Sequence, residues 1–117
     1  MKCKVTGSFN SLHFSVAPII LPLSFGTEVM NEGSFAQVSC IVREGDLPLD
    51  ISWSFHGMDL TAETGITTTK IGKRGSVLMI PSVSHIHTGR YECKAQNSVG
   101  ASTQSVKLLV NGKMYTL

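Results

Sequence analysis

From Ser34 to Arg43 apolar and polar side chains alternate, with Val38, Cys40 and Val42 on one side and Gln37, Ser39 and Ile41 on the other. A period of two is that of a half-buried β-strand. The rest of the chain continues in the same manner, with turn residues every eight to twelve positions. Ala17 to Pro22 reads as an edge strand, because proline is tolerated there and not in a central strand. Phe25 to Met30 is expected to continue that edge after a break at Ser24–Gly26. Asp50 to His56 places Ile51, Trp53 and Phe55 on one face, and Gly57 closes it. The β-branched run Ile66 to Ile71, the turn Gly72–Gly75 and Ser76 to Ile80 read as a hairpin. Pro81 to Gly89 is a connection, and Arg90 to Gln96 and Ala101 to Val110 form the last two strands. No stretch sustains a 3.6-residue period, so no long helix is expected.

Three residues organise this all-β pattern. Cys40 and Cys93 each lie inside a strand-like run, and Trp53 lies on the strand after the first of them. An inward cysteine from a central strand of each sheet can be bridged at mid-core, with a large ring from a neighbouring strand covering the bond. The segment His87-x-Gly89-x-Tyr91-x-Cys93 adds an independent signal. A tyrosine two residues before the second cysteine forms a corner, its hydroxyl bonding back to the chain a few residues upstream. Leu78 and Ile80 supply inward residues of the preceding strand. These features predict an immunoglobulin-like β-sandwich with Greek-key connections and one inter-sheet disulfide, Cys40–Cys93. Core positions are Trp53, Tyr91 and Leu78. Closing that loop stabilises the fold by roughly 4 kcal/mol from chain entropy, and such a bond persists in an oxidising compartment.

A chain of 117 residues fits one such domain. We place the domain at residues 17–112, with 1–16 unassigned and 113–117 a tail. The first segment is either the end of a preceding domain or an extraneous leader, and Cys3 within it has no evident partner. Hydrophobic residues are 42% and charged residues 15%, a globular composition. The net charge of +2 carries no basic stripe, which argues against nucleic-acid binding. No run approaches the length needed to span a bilayer, and no apolar stretch follows the charged start as in an export signal. If the chain works outside the cell, it is expected to be a piece of something longer.

The segment from about Ala17 to Gly112 resembles an intermediate-set immunoglobulin domain. More narrowly it is similar to the arthropod Down syndrome cell adhesion molecule (Dscam) family, and most similar to its variable seventh-type domain or the first domain of the shortened chelicerate members. The resemblance is carried by Ile20-Leu21-Pro22-Leu23-Ser24-Phe25-Gly26 and by Gly45-Asp46-Leu47-Pro48-Leu49-Asp50-Ile51-Ser52-Trp53. Lys70-Ile71-Gly72-Lys73-Arg74-Gly75-Ser76-Val77-Leu78 and His87-Thr88-Gly89-Arg90-Tyr91-Glu92-Cys93 continue it. Most intermediate-set domains carry Asp where His87 stands, so their ion pair at the base of the sandwich is expected to be absent. The resemblance implies homophilic cell adhesion or neuronal self-recognition, with isoform choice set by alternative splicing. It also implies antiparallel self-pairing through the sheet of the first, second, fourth and fifth strands (A, B, E and D). Partners are then a second copy and the neighbouring immunoglobulin domains of a surface or secreted protein.

The residues point to the same face. Ile41, Val77 and Met79 alternate against inward Cys40, Val42, Leu78 and Ile80, so three apolar side chains share one outer surface. Gln37, Ser39, Thr68 and Lys70 are expected to form its polar surround. No Asn-x-Ser/Thr sequon occurs to cover the face with a glycan. No catalytic set, cofactor loop or metal site is read from the sequence, and His85 and His87 are taken as structural. Two other roles fit the same fold: a hypervariable immune receptor domain binding microbial ligands, and a structural repeat of a muscle filament protein.

Overall fold

The computed structural model describes residues 14–60 and 64–112, without the side chains of Met58 and Asp59. Cys3 and the tail 113–117 lie outside the described residues. Among the described residues nine strands build two sheets: β1 (Ile19–Ile20), β2 (Val29–Asn31), β3 (Ala36–Glu44), β4 (Asp50–Phe55), β5 (Met58–Asp59), β6 (Thr67–Ile71), β7 (Gly75–Ile80), β8 (Gly89–Gln96) and β9 (Ala101–Asn111). One sheet runs β1-β3-β7-β6 and the other β2-β9-β8-β4-β5. The fold is the expected immunoglobulin-like sandwich, and the first sheet corresponds to strands A, B, E and D.

The core lies between the sheets because each central strand sends alternate side chains inward. Val38, Cys40 and Val42 of β3 meet Leu78 and Ile80 of β7, and Tyr91, Cys93 and Ala95 of β8 complete the layer, all buried. The Cys40–Cys93 disulfide joins the sheets at its centre. Trp53 stands opposite Cys93 on β4, and its indole N–H donates to the buried Ser76 hydroxyl of the other sheet at 2.9 Å. The tyrosine corner is formed: Tyr91 donates its hydroxyl to the His87 carbonyl at 2.6 Å. Phe25 and Phe55 flank its ring, with centroids at 5.4 and 4.6 Å. Burial pushes the Tyr91 phenol well above its ordinary pKa.

One expected edge is instead divided between the sheets. β1 pairs antiparallel with β3, whereas β2 pairs parallel with β9. Pro22 lacks the N–H that a ladder needs, and Leu23 and Phe25 turn into the core between the two segments. The chain thereby switches sheets. The connection after β7 holds a short 3-10 helix, His85–His87, in a region read as loop.

That helix explains the absent acid at His87. The side chain is 4% exposed. Its Nδ1 accepts the Ser84 N–H at 2.9 Å, and its Nε2 lies 2.7 Å from the Thr64 carbonyl. A ring nitrogen that accepts a backbone N–H carries no proton, so Nε2 is the donor and the imidazole is the neutral tautomer. Two backbone groups are satisfied here without an ion pair.

Candidate binding face

The exposed side of the β1-β3-β7-β6 sheet is laid out by register. Gln37 pairs with Met79, Ser39 with Val77 and Ile41 with Gly75. Directly paired residues of antiparallel strands point to the same side. Cys40 and Leu78 point inward, so these six positions point outward. Ile41, Val77 and Met79 are half-buried on that surface, with Ser39 between them and Gln37 exposed.

On β6 the register changes the expected membership. Thr67 pairs with Met79, Thr69 with Val77 and Ile71 with Gly75. These three share the outer face. Thr68 pairs with inward Leu78 and Lys70 with buried Ser76, so neither belongs to the surround expected of them. The reason is the loop. Three residues, Gly72, Lys73 and Arg74, separate the paired Ile71 and Gly75, with Gly72 at φ +59°. A four-residue turn through Gly75 would have reversed the parity of β6, because a one-residue slip moves every side chain to the other side. Lys70 lines a cleft of about 470 Å³ at the sandwich edge with Leu47, Leu49, Ile51 and Lys73.

Ile71, 43% exposed, is thus a face residue that sequence alternation alone had not identified. A Cβ built on Gly75 would lie 3.0 Å from Ile41 Cδ1 and 3.4 Å from Ile71 Cβ. The missing side chain at Gly75 therefore lets two isoleucines from flanking strands close over the backbone. Two further apolar residues extend the patch. Leu21 donates its N–H to the Ile41 carbonyl at 2.9 Å and is 38% exposed. Phe35 precedes inward Ala36 and is 54% exposed. Phe35 lies inside the alternating run Ser34 to Arg43, in phase with Gln37, Ser39 and Ile41, but was not named among its outward residues.

The outward residues from Phe35 to Ile41 and from Gly75 to Met79 include no charge. Arg43 stands beyond one end, beside Glu44 at 3.7 Å, and Glu32 beyond the other, near His85 at 3.9 Å. Among the described residues no cluster of His, Cys, Asp and Glu could hold a metal ion. No described helix is long and apolar enough to cross a membrane. The surface offers shape and apolar area, which suits a macromolecular partner rather than bond chemistry.

Residues 18–97 match the immunoglobulin domain family. The chain is 40% identical over 97 residues to the cell adhesion molecule Dscam1 of Drosophila melanogaster, covering 82% of this chain and 5% of that relative. It thus spans a small part of the relative's length. Among solved structures it resembles the Dscam1 Ig7 domain, isoform 5, with TM-score 0.80 and 39% identity over 84% of this chain and 100% of that one. It is also similar to the eight N-terminal Ig domains of isoform 1.30.30 of the Down syndrome cell adhesion molecule, with TM-score 0.79 and 37% identity. That match covers 84% of this chain and 13% of the larger one.

Proposed function

We propose, from the premise that this chain belongs to the Dscam family of immunoglobulin-domain cell adhesion molecules, that it is a homophilic recognition module. It pairs with a second copy of itself through the outer face of the β1-β3-β7-β6 sheet, the two copies antiparallel. The observation that carries this reading is the uncharged, largely apolar row of Ile41, Val77, Met79 and Ile71 on a sheet face that no element among the described residues covers. A two-fold contact places the same patch on both sides, so charge at its centre would meet charge. Here the centre has none.

The module works outside the cell, as one domain of a longer surface or secreted protein, and performs no catalysis. Its disulfide suits an oxidising compartment. Neighbouring immunoglobulin domains of the same protein are its other partners, in keeping with the multidomain arrangement of the Dscam structure it resembles.

Analytical ultracentrifugation tests the reading. The unmodified domain dimerises with increasing concentration. Met79→Glu sediments as a monomer with an unchanged thermal transition. Lys70→Glu, which alters the edge cleft and not the face, still dimerises. An unchanged sedimentation profile for Met79→Glu overturns the proposal.

A further inference from the structure

The outer face is arranged so that one particular alignment of two copies is self-complementary. On β3 the outward positions run Phe35, Gln37, Ser39, Ile41, spaced symmetrically about Val38. On β7 they run Gly75, Val77 and Met79, and exposed Pro81 continues the alternation after inward Ile80, symmetrically about Leu78. Val38 and Leu78 are themselves register partners. Thr68 is the partner of Leu78 on β6. One line across the sheet therefore bisects the outward rows of β3 and β7, while the β6 row of Thr67, Thr69 and Ile71 is centred one residue away, on Thr69.

From this geometry we infer that the two-fold axis of the self-pair lies in the interface plane, perpendicular to the strands, over the Val38–Leu78–Thr68 line. This inference rests on the homophilic reading above and specifies its register. An axis so placed stacks each strand on its own copy, antiparallel. Ile41 then opposes Phe35 of the second copy, Ser39 opposes Gln37, Val77 opposes Met79 and Gly75 opposes Pro81. In each of these four pairs on β3 and β7 a smaller side chain meets a larger one, and apolar meets apolar or polar meets polar; on β6, Thr67 opposes Thr69 and Ile71 lies over Gly65. Aligned packing of two sheets at ~10 Å needs such interdigitation.

Neighbouring alignments fail this test. With the axis over Ser39 and Val77, Phe35 meets Arg43 and Ile41 meets Gln37. With the axis over Gln37 and Met79, Ile41 lies over Gly33 and loses an apolar partner. The inferred alignment also brings Arg43 over the turn of the second copy that carries Glu32, cation toward anion at both ends of the contact. A parallel stack would set Arg43 against Arg43. Charge thus selects the antiparallel sense, and side-chain size selects the register.

The footprint of the contact is small. Three strands about 4.8 Å apart and the stretch from Phe35 to Ile41 at about 3.4 Å per residue give a flat face of about 340 Å² per copy. A standard interface covers about 800 Å² per partner.

Cysteine cross-linking tests the register in a Cys3→Ser background. Phe35→Cys and Ile41→Cys are prepared separately, mixed, and treated with bismaleimidoethane. The inferred axis sets the two thiols opposite each other across the interface, while like positions are offset by about 20 Å along the strand. The mixture therefore gives a cross-linked heterodimer at least about tenfold above either variant alone. Efficient cross-linking of Phe35→Cys or Ile41→Cys to itself overturns the alignment, as does a yield for Phe35→Cys with Ile41→Cys below that for Ile41→Cys with Gln37→Cys, the pair opposed when the axis lies over Ser39. Sedimentation of the unmodified domain separates the two proposals. A dimer with the wrong cross-links overturns only the register, and a monomer at every concentration overturns the homophilic reading itself.

Discussion

The indole nitrogen of Trp53 and the hydroxyl of Ser76 meet at 2.9 Å across the two sheets, beside the Cys40–Cys93 disulfide. Ser76 pairs with Cys40 on the neighbouring strand, and its inward hydroxyl is 5% exposed. Anchoring Ser76 inward holds its neighbours Gly75 and Val77 outward. A polar contact in the core thus helps fix the phase of the surface.

Ser76→Ala leaves the indole N–H buried without an acceptor, a loss of about 1–3 kcal/mol. For a domain of this size each kcal/mol lowers Tm by about 4–8 °C. Calorimetry therefore shows a fall of several degrees, while sedimentation below the transition still shows self-association.

Reducing the disulfide removes the constraint on the unfolded chain. Denaturant titration with and without a phosphine reductant gives a difference of roughly 4 kcal/mol, a large share of the ~5–15 kcal/mol typical of a domain. A difference below about 1 kcal/mol would refute this account of the core.

Gly89 sits at φ +152°, and a Cβ there would overlap the His56 ring and stand 2.9 Å from Phe55 Cε1. His56 and Gly57, both at positive φ, make the tight turn between β4 and β5, so the ring has little room to withdraw. Gly89→Ala lowers stability by about 2 kcal/mol or more. Adding His56→Gly removes the obstructing ring and restores part of the loss, which a double-mutant cycle measures directly.

Tyr91 titrates above its ordinary range because its phenol is buried. The folded state therefore holds the proton at pH values where the unfolded state has released it, and stability falls as pH rises above about 10. Tyr91→Phe costs about 1 kcal/mol at pH 7, since the His87 carbonyl loses its donor. The variant lacks the alkaline loss, so its deficit against wild type narrows above pH 10. A deficit constant from pH 7 to 11 counts against this assignment.

Alternation around Cys40 and Leu78 sufficed to read from the sequence which residues of β3 and β7 face inward. Burial is a periodic constraint within one strand, and the cysteine sets its phase. The same logic made the disulfide, the covering tryptophan and the tyrosine corner legible, because each depends on residue type at short spacing. Three things needed the tertiary structure. The sheet switch between β1 and β2 depends on which distant strand accepts each ladder. The phase of β6 depends on a three-residue loop, whose length moved Thr68 and Lys70 off the face and put Ile71 on it. The register line Val38–Leu78–Thr68, over which the two-fold axis is proposed, exists only once the inter-strand registers are set. A sequence prescribes the period within each strand, and pairing between strands decides how those periods align.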